Sequence, residues 1–215
     1  MNIIDEEMKI FSQLKEQNPD IIQDGIIDES KYINAPVKIA YILKEANGGK
    51  GWSLAEFISG GGRRQTWDNV ARWTEGIFKI DKELKWTYLE SQNEKRRLEY
   101  LKYICAVNIK KTSGSYVSNS NEIKKAAVLN GEIITKQINL YAPDIIICCG
   151  TADEFIKLYF KNTAINWNMT SRGIWYAKNG TSTVISYLHP QARVKDCILY
   201  YGIVDAVKEI FKDRV

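Results

Sequence analysis

Several residue types that are typical of a disulfide-linked or metal-binding protein are scarce in this sequence of 215 residues. Histidine occurs once, proline four times and cysteine four times. The cysteines stand at positions 105, 148, 149 and 197, and no two of them form a CxxC pair. We therefore expect buried, reduced thiols, no metal site and no cofactor.

Long apolar runs and a strong charge of one sign are also absent. No stretch approaches the roughly 18 apolar residues that a membrane span requires. Acidic residues from Asp5 to Glu7 stand where a signal peptide would be basic. We expect a cytoplasmic protein with no membrane partner. Thirty basic and 26 acidic residues give a net charge of +4, which permits a nucleic-acid partner without demanding one.

Alternating strand and helix patterns make up most of the sequence. Apolar runs at 37–43, 103–109 and 144–150 predict buried strands, and Asn179-Gly180 predicts a hairpin between two further β-rich runs. Amphipathic helices are expected at 4–14, 66–77, 90–102, 119–141 and 195–212, with Thr66 and Asn119 as N-caps. The predicted fold is a three-layer α/β/α sandwich with a mainly parallel central sheet of about four strands. It forms one domain over residues 1–215, with the N-terminal helix of residues 1–20 packing on it.

Polar segments follow three of the predicted strands, at 44–49, 108–113 and 189–193. Because the carboxyl ends of parallel strands meet at one edge, these segments should converge on a pocket. Asn108 interrupts an apolar run, and its amide can both donate to and accept from a pyrimidine-like edge. A neutral His189 can donate one hydrogen bond to an oxygen that becomes anionic. The alternatives are a buried asparagine that holds a loop and a structural or surface histidine.

Two polar residues of the first segment could handle water. Glu45 could act as a general base when a glycosidic bond breaks through a cation-like sugar, or it could be a solvated acid of the loop; Asn47 competes for the task of orienting water. Lys44 and the neighbouring glycines could approach phosphates. Basic residues that could follow a phosphate backbone, or simply be solvated, are Arg63, Arg64, Lys110, Lys111 and Arg193.

The order of these motifs resembles that of the uracil-DNA glycosylase superfamily. Lys44-Glu-Ala-Asn-Gly-Gly is similar to the first glycosylase motif, most of all to the Gly-Glu-Ala-Pro-Gly form of the iron-sulfur-containing enzymes. Asn108-Ile-Lys-Lys is similar to their asparagine-bearing strand, and 137–150 is similar to the helix and Pro-x-Ile-Ile-x-x-Gly strand. His189-Pro190-Gln-Ala is similar to their His-Pro-Ser motif. The resemblance spans roughly residues 37 to 210.

This resemblance implies an enzyme that cleaves the N-glycosidic bond of uracil or another modified base in DNA. Glu45 or Asn47 would handle the water, Asn108 would read the base, and His189 would stabilise the departing base as an anion. Phe57, or else Trp52, would stack on the extruded base. Contacts to phosphate or DNA would come from Lys44, Gly48, Gly49, Lys110, Ser113, Gln191 and Arg193. None of the cysteines falls in the family's iron-sulfur arrangement, so no such cluster is expected.

Two other functions fit the same pattern. A protein of this fold can keep the pocket as a nucleotide or nucleic-acid binding module after losing turnover. Alternatively, the basic loops could close over one phosphate of a free nucleoside or nucleotide that the protein hydrolyses. The expected partner is therefore DNA or a nucleotide.

Overall fold

The computed structural model describes residues 2–160 and 165–212. Its strands are β1 (Gly25–Ile26), β2 (Ile39–Asn47), β3 (Ile104–Gly114), β4 (Ile145–Cys149), β5 (Trp167–Met169), β6 (Trp175–Asn179) and β7 (Ser182–Tyr187). The helices are α1 (Ile3–Gln17), α2 (Glu29–Ile33), α3 (Leu54–Ser59), α4 (Arg64–Phe78), α5 (Trp86–Leu89), α6 (Asn93–Tyr100), α7 (Ser120–Tyr141), α8 (Ala152–Tyr159) and α9 (Asp196–Ile210), with a 3-10 turn at Leu101–Tyr103. Strands and helices alternate along much of the chain, which confirms the predicted α/β class.

One mixed sheet organises these elements in the strand order β1-β3-β2-β4-β7-β6-β5. The four strands β3, β2, β4 and β7 run parallel to their neighbours within this group. The flanking strands, β1 on one side and β6 and β5 on the other, are antiparallel to their neighbours. The sheet therefore has more strands than the four or so that the sequence predicts. The edge strands β1 and β5 were missed because they have two and three residues, which is too short for a periodic pattern.

Separate apolar cores lie on the two faces of the sheet. Tyr41 and Trp73 belong to one core, whereas Ile42 and Phe155 belong to the other. Cys148 and Cys149 lie in different cores, as the alternation of side chains along a strand predicts. Among the described residues, no helix is long and apolar enough to cross a membrane.

Strands β2 and β3 extend further than predicted. The sequence favoured a loop from Lys44 onward and another from Lys110, but β2 continues to Asn47 and β3 to Gly114. Glu45 pairs with Lys110, and Asn47 pairs with Gly114 after a register shift. The two polar extensions stabilise each other by cross-strand hydrogen bonds and by their opposite charges. This pairing could not be predicted from the sequence of either segment by itself.

The helices differ from prediction in three places. Helix α4 begins at Arg64, so Thr66 is not its N-cap. The helix expected at 90–102 is shorter, from Asn93 to Tyr100, and Gln92 directly before it adopts a left-handed conformation with φ 50°. The helical spacing of apolar residues also favours inward positions for Leu98 and Leu129, but these side chains are 41% and 80% exposed. Asn119 does cap α7, through its side-chain oxygen.

A buried ion pair lies behind β3. Lys111 was a candidate either to follow a phosphate backbone or to be simply solvated, but it is buried, with Nζ 2.7 and 2.9 Å from the two carboxylate oxygens of Asp24. The same ammonium donates to Gln137 Oε1 at 2.7 Å. The irregular register near the end of β3 accompanies this inward placement. Lys111 is therefore a structural residue, and its burial contradicts both alternatives.

Glu7 joins this network from α1. Its Oε1 accepts the Ile26 backbone N–H at 3.1 Å and the Tyr141 hydroxyl. Gly25 lies against this carboxylate with φ +131°, and an added side-chain carbon would overlap Glu7. Burial raises the pKa of Glu7 from 4.5 to about 7, so ionisation of this carboxyl costs stability in the folded chain.

Substitution of Glu7 by Gln should remove a pH-dependent loss of stability. The folded chain holds the Glu7 proton more tightly than the unfolded chain, so its free energy of unfolding falls as pH rises from 4.5 to about 7. Glu7→Gln should abolish that fall, which amounts to about 3 kcal/mol. Urea denaturation at pH 5 and pH 8 measures the difference. Glu16→Gln, at an exposed position of α1, is the matched control. An unchanged pH dependence in Glu7→Gln would contradict the assignment.

Candidate active site

The carboxyl ends of the four parallel strands bring most predicted site residues to one edge of the sheet. Lys44 and Glu45 come from β2, Asn108 comes from β3, and His189 follows β7 by two residues. In the strand order, β2 and β4 separate β3 from β7. With neighbouring strands about 4.8 Å apart, the strands of Asn108 and His189 stand roughly 14 Å apart. The two residues thus flank the edge from opposite sides.

Asn108 presents a free acceptor from the interior of β3. The residue is 2% exposed, and its backbone N–H donates to Asp24 Oδ2 at 2.7 Å. Its side-chain Oδ1 is buried and has no hydrogen-bond partner among the described residues. Burial of an unpaired acceptor costs roughly 1–3 kcal/mol. A ligand N–H that donates to this amide oxygen removes that cost, which favours binding of the ligand.

His189 presents a donor from the opposite side. The backbone N–H of Gln191 donates to His189 Nδ1 at 3.0 Å, so Nδ1 is an acceptor. The neutral imidazole therefore carries its proton on Nε2. Burial, together with a smaller effect of the positive charge of Lys44, lowers the pKa of His189 from 6.5 to about 4. At pH 7 the side chain is a neutral N–H donor.

Gly150, directly after β4, lies beside both Lys44 and His189. A side-chain carbon at this position would lie 3.9 Å from the His189 backbone nitrogen and 3.9 Å from Lys44 Cε. Both are ordinary contact distances, so it is the backbone conformation, with φ +68°, that favours glycine here. The predicted Lys44 and His189 thus lie close together at the turn after β4, beside the glycine that ends the segment 137–150.

Glu45 and Asn47 occupy different environments. The Glu45 side chain is 4% exposed, and Lys110 Nζ lies 3.1 Å from its Oε2. The backbone of Gly114 packs so closely on this carboxylate that a side-chain carbon there would overlap it. Asn47 is exposed. Of the two candidates for handling water, only Asn47 is accessible from solvent in this conformation.

Lys110 is engaged within the protein. Besides Glu45, it contacts Glu122 Oε2 at 2.7 Å, so two carboxylates surround its ammonium. Hydrogen bonding to Glu122 raises the pKa of Lys110. Its charge is largely neutralised, and a role for Lys110 in phosphate contact would require it to exchange these partners.

The glycine segment and the aromatic pair form one wall near β2 and β3. Ser113 Oγ donates to the Gly48 carbonyl, and Trp52 Nε1 donates to the Gly49 carbonyl at 3.0 Å. Trp52 and Phe57 pack edge to face with their ring centroids 5.6 Å apart. Phe57 is 38% exposed. Both predicted aromatic residues therefore belong to one unit, with the exposed part of the Phe57 ring available for stacking.

The loop after His189 adjoins α4. Gln191 Nε2 donates to Thr66 Oγ1 at 2.7 Å, whereas Arg193 is exposed. A cleft of about 470 Å³ runs beside this loop, and its lining includes Arg64, Gln191 and Asp196. Sequence reasoning missed Asn69, Arg72 and Asp196, which hold the loop through hydrogen bonds. The available signal was a set of polar residues interrupting the apolar pattern of α4.

No protein-family model matches this chain, and no curated protein matches it at a significant level. The geometry of its residues and the order of its motifs therefore carry the functional argument.

The titration of His189 provides a direct check on this geometry. Because His189 is the only histidine, a single imidazole signal should appear in NMR spectra. We expect its midpoint near pH 4, as burial predicts, with the folded state monitored at each pH by circular dichroism. Lys44→Met should move the midpoint upward, because it removes a nearby positive charge. A wild-type midpoint close to 6.5 would contradict the half-buried, neutral imidazole.

Proposed function

We propose that this chain is a glycosylase-like hydrolase that cleaves the N-glycosidic bond of uracil or another modified base in DNA. One observation carries the proposal: the sheet edge combines a buried, unpaired acceptor at Asn108 with a neutral N–H donor at His189. The motif order, which resembles that of the uracil-DNA glycosylase superfamily, supports the same reaction. The chain would be a divergent member of that superfamily.

Asn108 would recognise the base. The amide offers an acceptor and a donor side by side, which matches a pyrimidine edge that presents an N–H next to a carbonyl. Its burial excludes water as a competing partner and makes a mismatch costly, since a wrong base would leave polar groups unpaired. To reach this depth the base must leave the DNA helix, at a cost of a few kcal/mol. Phe57, with Trp52 packed on its ring, would provide the stacking surface that repays part of this cost.

His189 would stabilise the departing base. When the glycosidic bond breaks, the bonding electron pair leaves with the base, and negative charge builds up on its oxygen. A neutral Nε2–H can donate to this oxygen, and the positive charge of Lys44 lies close enough to act on the same anion. Both groups stabilise the separated charges more than they stabilise the intact substrate, which is the requirement for catalysis.

Asn47 would orient the attacking water. Glu45 would contribute its negative charge from a more buried position. Asn47 is exposed at the end of β2, whereas the oxygens of Glu45 are enclosed. The Glu45 carboxylate can still favour a cation-like sugar through its charge, reduced by the nearby Lys110. Exposed basic residues beside the His189 loop, Arg63, Arg64 and Arg193, would contact the phosphate backbone.

Incubation with a panel of oligonucleotides tests the reaction. The oligonucleotides carry uracil, hypoxanthine, xanthine or oxidised pyrimidines, and alkaline cleavage detects abasic sites. We expect base release by the wild type from at least one member of the panel. His189→Ala should lower the rate by roughly 10²–10³-fold, the usual cost of losing one donor to a developing anion.

Asn108→Ala should abolish base release without unfolding the chain. The backbone N–H bond to Asp24 survives the change, and the deleted Oδ1 has no described partner to leave unpaired. Asn121→Ala, at an exposed position of α7, is the matched control and should retain activity. Full activity in both Asn108→Ala and His189→Ala would refute the proposed site, while thermal denaturation confirms that the variants are folded.

The two water candidates can be separated by substitution. Asn47→Ala should lower kcat more than Glu45→Gln does, because only Asn47 reaches solvent in this conformation. Single-turnover base release measures the chemical step apart from product release. A larger loss in Glu45→Gln would assign the water to Glu45 and would require the segment around Gly114 to open.

A second candidate, hydrolysis of a free nucleoside or nucleotide, is favoured by the engagement of two basic residues. Lys110 and Lys111 both pair with internal carboxylates, which leaves fewer free cations for a long phosphate backbone. Chromatographic detection of free base from nucleosides and nucleotides tests this candidate in parallel. Release from these small substrates, without abasic sites in any oligonucleotide, would assign the chain to it.

A further inference from the structure

A polar network, buried on α4 and partly exposed at Asp196 on α9, holds the loop that carries His189. Asn69 is 2% exposed and Arg72 is 4% exposed. Asn69 Nδ2 donates to the Pro190 carbonyl at 2.8 Å and to Asp196 Oδ1 at 2.9 Å. Arg72 Nη1 donates to Asn69 Oδ1 at 2.8 Å and to Asp196 Oδ2 at 3.0 Å. Pro190 is thus the point at which this network reaches the loop.

These contacts fix the orientation of the Asn69 amide. In the observed arrangement, Oδ1 faces the donor Arg72, and Nδ2 faces the acceptors Asp196 and Pro190. A rotated amide would place its oxygen against a carboxylate and a carbonyl, and its N–H groups against a guanidinium. Both pairings are repulsive, so the network holds Asn69 with its donor toward the Pro190 carbonyl.

The peptide between Pro190 and Gln191 connects this network to the imidazole. Its carbonyl belongs to Pro190 and accepts from Asn69, and its N–H belongs to Gln191 and donates to His189 Nδ1. Because a peptide unit is planar, fixing the carbonyl direction also fixes the N–H direction. A hydrogen bond to the carbonyl further polarises the amide and strengthens its N–H as a donor.

We propose that Asn69 is a positioning residue that keeps His189 in the tautomer protonated at Nε2, by holding the Pro190–Gln191 peptide. Arg72 and Asp196 orient the Asn69 amide for this task. The catalytic consequence rests on the proposed function, in which Nε2–H donates to the departing base. The tautomer itself is a property of the free protein, so it can be measured without any substrate.

Long-range ¹H–¹⁵N NMR spectra of the single histidine test the proposal at pH 7. The wild type should show a protonated Nε2 and an unprotonated Nδ1. Asn69→Ala removes the donor to Pro190, and Asn69→Asp removes it at nearly constant volume. In each variant the tautomer protonated at Nδ1 should rise to a population comparable with that of the other form.

Asn93→Ala provides the matched control. Asn93 Oδ1 accepts from Arg72 Nη2 at 3.1 Å, on the far side of the network from Pro190. This variant should lose thermal stability while its imidazole stays protonated at Nε2. The comparison separates a general loosening of the network from the specific effect on the peptide.

Kinetics then distinguish this proposal from the proposed function. If the chain releases bases, kcat should fall roughly tenfold in the Asn69 variants, while KM should change little. This loss is smaller than the roughly 10²–10³-fold loss expected when the donor is removed altogether, because part of the His189 population keeps its proton on Nε2. A wild type without activity, but with the tautomer change in both variants, would support positioning and overturn the reaction. An unchanged tautomer in folded Asn69→Ala or Asn69→Asp would overturn the positioning role, whatever the activity.

Discussion

The buried ion pair between Lys111 and Asp24 is the interaction on which one side of the site depends. Both side chains are fully buried, and removal of one partner from such a pair costs roughly 3–5 kcal/mol because the other charge is left in the core. Burial lowers the pKa of Lys111, and Asp24 opposes that shift. The same carboxylate accepts the backbone N–H of Asn108. The ion pair therefore ties α7 and the edge of the sheet to the residue proposed to recognise the base.

The sequence predicted best what depends on local periodicity. Apolar runs located the central strands, and alternation placed Cys148 and Cys149 on opposite faces. Predictions failed where a distant partner decides the outcome. Lys111 is basic and stood in a segment that was expected to be a loop, yet Asp24, 87 residues away, draws it into the core. The strand extensions beyond Lys44 and Lys110 likewise depend on each strand pairing with the other.

The same division applies to the candidate site. Asn108 and His189 could be found because each is polar and directly adjoins or interrupts an apolar strand. Asn69 could not be found in this way, because its partner Pro190 is 121 residues away and no local pattern joins the two. Whether Glu45 faces solvent was equally beyond the sequence, since Gly114 of the neighbouring strand covers it. The local sequence shows that a polar residue lies within or beside a strand. Its solvent accessibility and its hydrogen-bond partners depend on tertiary packing.

The two sides of the site are held by separate networks. Asp24 and Lys111 support Asn108, whereas Asn69 and its partners support His189, and the apolar strands β2 and β4 lie between them. Lys44 acts at the centre of this arrangement. Its charge helps to keep His189 neutral, and in the proposed reaction the same charge would attract the anionic base. A neutral imidazole next to a cation is suited to this task, because it donates a hydrogen bond without delivering its proton, while the cation supplies the net charge. The single histidine can therefore act as an oriented dipole, and the electrostatic stabilisation does not require it to titrate.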